Sequence, residues 1–310
     1  MMKWQGVMPA ITTCFDKSLG IDHGFMAEHC RWLLDNGCTG IVALGSLGEG
    51  ATLTFDEKLA VVRTCVRAVG NRAPVLASIS SLSTSEAIAL ARQTADLGCD
   101  GLMVLPPYVY QGDSREMLGY VSSVLRATNL SCMLYNNPIA YGTDFLPEHI
   151  AQLAGEHSNL HAVKESSADV RRITAIRALV GDDLELFIGV DDVIVEGVGA
   201  GAVGWIAGLV NALPRESVDL FNYAVEGDHE KAFELYRWFL PLLRMDTVPK
   251  FVQLIKLVQE MVGMGNSRVR PPRLQLAGSE LEESRNVIRT AMTNRPRIAA
   301  GSSKPAALES

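Results

Sequence analysis

The chain has 310 residues, a formal net charge of -7, 48% hydrophobic residues and a mean hydropathy of +0.14. This length and composition are typical of a globular protein with a large buried core. Lys and Arg form no cluster, so the charge pattern excludes an electrostatic basis for binding nucleic acid or an anionic membrane. We therefore expect a small-molecule partner.

The six cysteines are scattered singly and show no C-x-x-C pair, so we interpret them as reduced core thiols and not as a disulfide framework or a zinc site. Residues 1–15 interrupt their apolar side chains with Gln, Gly and Pro, which is unlike a secretory signal. No stretch approaches the ~18 apolar residues that a membrane span requires. These features predict a cytoplasmic enzyme.

Short apolar runs alternate with longer segments of helical periodicity as far as residue 226. Such alternation indicates repeated βα units and a parallel sheet. The candidate strands begin at Gly6 (GVMPAIT), Gly40 (GIVALG), Pro74 (PVLASIS), Gly101 (GLMVLP), Ser131 (SCMLYN), Leu160 (LHAVKE), Leu184 (LELFIGV) and Ala202 (AVGWIA). Eight units fit an α/β fold of the closed (β/α)8 TIM-barrel type, which takes ~250 residues. An open doubly wound sheet is the alternative.

The second helix of this series has clear end signals: Thr54 and Glu57 form a potential capping box, and Gly70 ends the helical pattern. After Glu226 the strand signals stop, and three helical segments follow. We expect a C-terminal helical appendage and a frayed end. The predicted divisions are a catalytic barrel over 1–226, a helical region over 227–298 and a flexible tail over 299–310.

Lys164 stands at the carboxyl end of the candidate strand LHAVKE, where the active site of a parallel barrel forms. A strand-end lysine often reaches solvent or pairs with a carboxylate, here Glu165. Alternation with Leu160 and Ala162 instead places Lys164 on an apolar face, and burial disfavours the charged ammonium. Because only the neutral amine attacks a carbonyl carbon, we predict that Lys164 is a Schiff-base nucleophile.

Two other strand ends offer groups that can assist imine formation. Tyr135 ends the strand before that of Lys164 and can move protons, although a core tyrosine bonded to backbone is the alternative. The loop Gly45–Gly50 follows a strand, and its backbone amides can hold a carboxylate or a phosphate. Ser46 adds a hydroxyl able to relay a proton to a tyrosine, and Glu49 is expected to hold the loop together.

No metal or cofactor motif accompanies these residues. The G-x-G-x-x-G pattern of Gly199–Gly204 ends a helix and enters a strand, opposite to the order in a dinucleotide site. The histidines lack metal-ligand spacing. Asp191 and Asp192 resemble a cation pair only superficially, since acids are favoured at any helix N-terminus. We predict no cofactor, because the lysine itself serves as the electron sink.

The motifs GSLGE (45–49), YNNP (135–138) and VKESS (163–167) together resemble the dihydrodipicolinate synthase and N-acetylneuraminate lyase superfamily over nearly the whole chain. The resemblance implies a (β/α)8 barrel with C-terminal helices, commonly a homotetramer, and Schiff-base chemistry on a 2-oxo acid. It implies that Lys164 forms the imine, Tyr135 acts as acid and base, and Ser46 relays a proton. The amides of Ser46 and Leu47 would bind the substrate carboxylate.

The resemblance also implies where the rest of the substrate binds. Gly189, Asp191 and Asp192 occupy strand-end positions where sugar-acid members contact substrate hydroxyls. The expected substrate-binding residues are Leu47, Gly48, Gly189, Asp191 and Asp192. Many members lend a tyrosine across a subunit interface, and its candidates here are Tyr108 and Tyr110.

Departures from the superfamily pattern narrow the expected activity. Lysine-pathway synthases carry an arginine after the YNxP motif that binds a second carboxylate, whereas this loop reads Ile139-Ala140-Tyr141. The usual GTTGE or GSTGE has become GSLGE, so Leu47 replaces a hydroxyl-bearing residue. The missing arginine leaves a second carboxylate without an evident partner, which argues against a dihydrodipicolinate synthase.

The longer phrases YNNPIAYG, VKESSADVRRIT, GVDD, GAVGWIAGLVNALP and RWFLPLLRMDTVPKFVQLIKL resemble one branch of the superfamily most closely, the Δ1-pyrroline-4-hydroxy-2-carboxylate deaminases of bacterial hydroxyproline catabolism. The implied reaction converts the cyclic imine to 2-oxoglutarate semialdehyde and ammonia. The alternatives are a dehydratase or aldolase of a 2-keto-3-deoxy sugar acid, such as 2-keto-3-deoxyarabonate, a dihydrodipicolinate synthase, and a catalytically inactive ligand-binding barrel.

Overall fold

The structure is a computed structural model that describes residues 2–107 and 109–296. Within these residues, eight parallel strands form one sheet in the order β1-β8-β7-β6-β5-β4-β3-β2. They are β1 (Gly6–Pro9), β2 (Ile41–Ala43), β3 (Val75–Ile79), β4 (Gly101–Val104), β5 (Ser131–Asn136), β6 (Leu160–Glu165), β7 (Glu185–Ile188) and β8 (Gly204–Ala207). A parallel bridge between Ala10 and Val42 returns the sheet from β1 to β2. The fold is therefore the predicted (β/α)8 barrel, and the doubly wound alternative is wrong.

Helices separate the strands and continue beyond the barrel. They are α1 (His23–Asp35), α2 (Phe55–Val69), α3 (Thr84–Asp96), α4 (Ser114–Leu125), α5 (Pro138–Tyr141), α6 (Pro147–Glu156), α7 (Arg171–Val180), α8 (Ile194–Gly199), α9 (Pro214–Glu226), α10 (His229–Leu243), α11 (Phe251–Met261) and α12 (Gly278–Thr293). None of these described helices is both long and apolar enough to cross a membrane. The tail predicted over 299–310 lies outside the described residues.

The end signals of α2 behave as its sequence predicts. Thr54 Oγ1 accepts a hydrogen bond from the Glu57 amide at 3.3 Å, and the Glu57 carboxylate accepts one from the Thr54 amide at 2.8 Å. Gly70 follows the helix with a positive φ of 57°. This reciprocal cap satisfies two amides of the first turn, which lack partners inside the helix.

The C-terminal helices matter for the site because they approach the carboxyl ends of the strands. Gln259 of α11 accepts a hydrogen bond from Thr12 Oγ1 at 2.9 Å, just beyond β1. Lys256 of the same helix donates to the Thr13 carbonyl at 2.8 Å. The 3₁₀ turn Arg244–Asp246 after α10 packs against the turn Asp191–Val193 that follows β7. The appendage therefore forms part of the barrel mouth.

Candidate active site

Lys164 and Tyr135 lie side by side at the mouth of the barrel. They are paired in register on β6 and β5, and each side chain is 6% exposed. The Nζ atom of Lys164 is 4.2 Å from the centre of the Tyr135 ring. The structure thus brings together the two residues that the sequence analysis selected as nucleophile and proton carrier.

Glu165, the carboxylate adjacent to Lys164 in sequence, faces other partners. Its two oxygens accept hydrogen bonds from Asn136 Nδ2 at 3.0 Å and from the Ser167 amide at 2.7 Å. Burial raises the pKa of Glu165, although these hydrogen bonds act in the opposite direction. Because strand neighbours point to opposite faces, Glu165 supports the back of β6 and does not pair with Lys164.

The side chain of Lys164 passes directly over Gly189 at the end of β7. A Cβ atom on Gly189 would lie 2.3 Å from Lys164 Cε and 2.0 Å from Ser166 Oγ. The Ser166 hydroxyl is buried and has no hydrogen-bond partner among the described residues. Glycine at position 189 therefore leaves the space that the lysine occupies.

The Tyr135 hydroxyl is held by the turn that follows β5. It accepts a hydrogen bond from Asn137 Nδ2 at 2.8 Å, while Asn137 Oδ1 accepts one from the Ala140 amide at 2.9 Å. Asn137 thus caps α5 and orients the phenol at the same time. The hydroxyl meets a side-chain amide at the mouth, which differs from the buried tyrosine bonded to backbone that we considered as the alternative.

Tyr141 at the end of α5 is a residue of the site that the sequence analysis missed. Its ring meets Tyr135 edge to face, with centres 5.8 Å apart, and its hydroxyl shares a hydrogen bond with Ser46 Oγ. Ser46 is therefore hydrogen-bonded to a tyrosine, as expected, and this tyrosine is Tyr141. The available signal was the spacing Y-x5-Y, in which a capped one-turn helix returns the second ring to the first.

The loop Gly45–Gly50 offers unpaired backbone donors towards the mouth. Among the described residues, no acceptor takes the amides of Ser46 or Leu47. Leu44 and Glu49, on either side of these amides, have positive φ angles of 67° and 54°, a conformation that L-residues rarely adopt. Two free amides in a strained turn are suited to bind a carboxylate.

Glu49 fixes this loop from behind. Its side chain is fully buried, and Oε1 lies 2.8 Å from Lys256 Nζ, while Oε2 accepts a hydrogen bond from the Arg270 amide at 3.0 Å. The neighbouring Gly48 carbonyl accepts one from Thr13 Oγ1 at 2.6 Å. Glu49 therefore holds the loop together, as expected, and the buried partner Lys256 was missed because it lies 207 residues away in the sequence.

Asp191 and Asp192 follow β7 but have different surroundings. The fully buried Asp191 carboxylate accepts hydrogen bonds from Trp205 Nε1 at 3.0 Å and from the Leu209 amide at 2.8 Å. The Asp192 carboxylate is 3.6 Å from Arg244 Nε and faces the appendage. Both carboxylates are thus occupied by protein groups on this side of the mouth.

The two candidates for a tyrosine lent across an interface cannot be treated alike. Tyr108 lies outside the described residues. Tyr110 is 55% exposed, and its hydroxyl is 3.0 Å from both carboxylate oxygens of Glu116 in the same chain.

This chain is similar in sequence and in structure to proteins of one known family. The model of the dihydrodipicolinate synthetase family matches residues 3–291. A 4-hydroxy-tetrahydrodipicolinate synthase of Methanocaldococcus jannaschii is 30% identical over 92% of this chain and 98% of its own length. The enzyme of the same name from Methanopyrus kandleri is 33% identical over 86% of this chain and 90% of its own. The crystal structure of a dihydrodipicolinate synthase of Bacillus anthracis matches with a TM-score of 0.90 and 28% identity, covering 96% of this chain and all of that one.

Proposed function

The chain belongs to the dihydrodipicolinate synthetase family, and we propose that it uses a Schiff base on Lys164 to convert Δ1-pyrroline-4-hydroxy-2-carboxylate to 2-oxoglutarate semialdehyde and ammonia. The observation that carries this proposal is the contact of Lys164 with Tyr135, at 4.2 Å from Nζ to the ring centre. Superfamily members are lysine Schiff-base lyases, so formation of a Schiff base on a lysine is the chemistry of the family.

Imine formation also requires groups that bind the substrate carboxylate and groups that exchange protons. The loop amides and the two tyrosines are suited to these tasks. The amides of Ser46 and Leu47 have no acceptor among the described residues and can bind the substrate carboxylate next to C2. The Tyr135 ring lies 4.2 Å from Lys164 Nζ, the atom that would bond to C2. Tyr141 contacts the Tyr135 ring and shares a hydrogen bond with Ser46. The site therefore contains three hydroxyl groups that can exchange protons with a bound substrate, the phenol of Tyr135 and the hydrogen-bonded pair Tyr141–Ser46.

In the proposed reaction, Lys164 Nζ attacks C2 and the ring C2–N bond breaks, so that the ring nitrogen leaves as an open-chain amine protonated by Tyr135. Removal of a C3 proton gives an enamine, and the C4 hydroxyl departs as water. The resulting alkene isomerises to a C5 imine, whose hydrolysis releases ammonia. Hydrolysis of the lysine adduct then releases the product, for a net consumption of one water molecule.

The turn after β5 supports this substrate over that of a lysine-pathway synthase. Synthases of the lysine pathway place an arginine in this turn for a second carboxylate, and the substrate proposed here has only one. In this chain the turn is α5, which consists of Pro138, Ile139, Ala140 and Tyr141 and contains no cation. Ile139 is 71% exposed and Tyr141 faces Ser46, so the turn supports a substrate with a single carboxylate.

A dehydratase or aldolase of 2-keto-3-deoxy sugar acids would use the same lysine and tyrosine, so a substrate panel is the direct test. The panel comprises the cyclic imine, 2-keto-3-deoxyarabonate, and pyruvate with aspartate semialdehyde, with ammonia and pyruvate as readouts. We expect ammonia from the cyclic imine. Turnover of either other substrate in preference to it would contradict the proposal, and binding without any turnover would indicate an inactive barrel.

Borohydride trapping tests the nucleophile separately. Reduction in the presence of pyruvate, followed by peptide mass spectrometry, is expected to place one adduct on the peptide that contains Lys164. Lys164→Ala should abolish the adduct, whereas Lys58→Ala, which alters another buried lysine on α2, should retain it. An adduct on Lys256, or none, would contradict the mechanism.

We also propose that the chain assembles as a homotetramer in the cytoplasm. Family membership supports the assembly, since such enzymes are commonly oligomeric, and six buried, unpaired cysteines support the compartment. Sedimentation velocity measures the first directly. A monomer at micromolar concentration with full activity would contradict the tetramer.

A further inference from the structure

Asp246 brings a carboxylate from the appendage to the carboxyl end of β8. It ends the 3₁₀ turn Arg244–Asp246, and its side chain lies on Gly208, just after Ala207. A Cβ atom on Gly208 would be 2.0 Å from Asp246 Oδ1 and 2.8 Å from Oδ2. Glycine at position 208 therefore leaves the space that this carboxylate fills.

Asp191 contacts the same glycine from another direction. The Gly208 amide donates to both carboxylate oxygens of Asp191, at 3.2 and 3.1 Å, and Leu209 and Trp205 add two further donors. Asp246, by contrast, receives no hydrogen bond from any residue in 2–107 or 109–296. Two carboxylates thus flank Gly208, one fully supplied with donors and one without.

This difference determines where a proton resides. Burial raises the pKa of Asp246 well above its usual range, the Asp191 and Asp192 carboxylates act in the same direction, and Lys164 opposes them. Burial also raises the pKa of Asp191 to about 6, against the hydrogen bonds from Leu209, Gly208 and Trp205. Two neighbouring carboxylates do not readily ionise together, and the donors favour the charge on Asp191. Asp246 is then the member of the pair that carries the proton.

The pair lies across Lys164 from Tyr135. Lys164 is on β6, and Tyr135 is on the neighbouring β5. Gly208, which both carboxylates of the pair contact, lies on the other side, beyond β7 at the end of β8. A substrate bound to Lys164 therefore has a phenol on one side and a protonated carboxyl on the other. Titratable groups held in different environments around a reacting centre are typical of general acid–base catalysis.

We propose that Asp246 is the general acid that protonates the departing C4 hydroxyl. In this step the nitrogen lone pair of the enamine re-forms the C2=Nζ iminium, the C2=C3 electrons form the C3=C4 bond, and the C4–O bond breaks. The oxygen leaves with its electron pair and takes the proton of Asp246, which gives water and a carboxylate. The assignment rests on the proposed function, since it requires a substrate with a hydroxyl at C4.

Asp246→Asn tests this role, because the amide has the same shape but cannot donate the acidic proton. A general acid contributes roughly 10²- to 10⁴-fold, so we expect ammonia release from the cyclic imine to fall by at least about 100-fold. Borohydride trapping with pyruvate and exchange of the pyruvate methyl protons in D₂O should continue, because neither expels a hydroxyl. Glu234→Gln removes an exposed carboxylate from α10 and should change none of the three readouts.

Gly208→Ala tests the geometry without changing the carboxyl group. The new methyl group must displace Asp246 Oδ1, so ammonia release should fall as in Asp246→Asn while trapping is retained. Wild-type-like ammonia release by Asp246→Asn overturns the assignment and leaves the proposed function intact. Loss of trapping together with turnover in Asp246→Asn also overturns it, since the residue then supports Lys164. If the wild-type protein itself releases no ammonia, the proposed function fails, and the assignment fails with it.

Discussion

Gly189 and Lys164 are in direct contact across β7 and β6, and the contact exists only because position 189 has no side chain. A Cβ atom there would stand 2.3 Å from Cε and 2.8 Å from Cγ of the lysine. Such distances are far below van der Waals contact, so a larger residue must displace the amine from its place beside Tyr135. In this structure Gly189 leaves room for the lysine side chain. The family resemblance had implied a different role, contact with substrate hydroxyls.

Gly189→Ala should lower the rate of Schiff-base formation by about 100-fold, since misplacement of a reacting group by ~1 Å can cost that much. Single-turnover borohydride trapping with pyruvate measures this rate. Gly119→Ala on α4 is the matched control, because a Cβ there meets nothing within 4 Å. Trapping by Gly189→Ala at the wild-type rate would show that the position of the Lys164 amine does not depend on glycine at position 189.

Tyr141→Phe should reduce kcat by about 10- to 100-fold with a smaller change in KM, because it removes the hydroxyl that binds Ser46 but keeps the ring against Tyr135. Ser46→Ala should have a similar effect. If the two hydroxyls act as one relay, the double variant should be no worse than either single one.

Steady-state kinetics of the four proteins decides this point. Tyr223→Phe on α9 serves as a control for loss of a phenol away from the mouth. Additive effects of Ser46→Ala and Tyr141→Phe would mean that the two hydroxyls act independently.

Particular residues show what the sequence could and could not predict. The eight strands and the capped helix α2 follow from local patterns of apolar spacing and turn residues, and Lys164 was found because its charge violates the pattern of a buried strand. Tyr141 and Lys256 were missed because their partners, Ser46 and Glu49, are 95 and 207 residues away. Asp246 was missed because its contact with Gly208 depends on how the appendage packs on the barrel. Contacts of this kind depend on tertiary structure, which local periodicity does not encode.

Removing one partner of the buried pair Glu49–Lys256 should destabilise the protein strongly. The two side chains are 0% and 2% exposed, with Nζ 2.8 Å from Oε1. Lys256→Met removes the nearer cation from the buried Glu49 carboxylate and leaves it with Arg273 Nη1 at 3.8 Å. We expect a loss of roughly 3 kcal/mol in the free energy of unfolding, the lower end for a broken buried pair. Chemical denaturation measures this loss.

The exposed pair Lys231–Asp228 provides the comparison for this measurement. Its side chains are 59% and 32% exposed, so solvent screens the pair, and Lys231→Met should change the denaturation midpoint far less than Lys256→Met does. In the double variant Glu49→Gln/Lys256→Met the buried carboxylate is also removed, and part of the lost stability should return. Equal effects of Lys256→Met and Lys231→Met would contradict a stabilising role for the buried pair.

His29 should make the fold sensitive to mild acid. Its ring is buried, Nε2 lies 2.9 Å from the Asn211 carbonyl, and burial lowers the pKa from 6.5 to about 4. Between these values the unfolded chain binds a proton that the folded chain does not, so stability is fully present above pH 6.5 and is lost as the pH falls towards 4. The full difference is about 3 kcal/mol at ~1.4 kcal/mol per pKa unit.

His29→Gln tests this sensitivity, because it keeps a donor for the Asn211 carbonyl but does not titrate. Urea unfolding from pH 7 to 4 should show a correspondingly flatter stability profile for this variant than for wild type. His229→Gln, at the exposed start of α10, should leave the wild-type slope unchanged. Parallel profiles for His29→Gln and wild type would mean that another group causes the acid sensitivity.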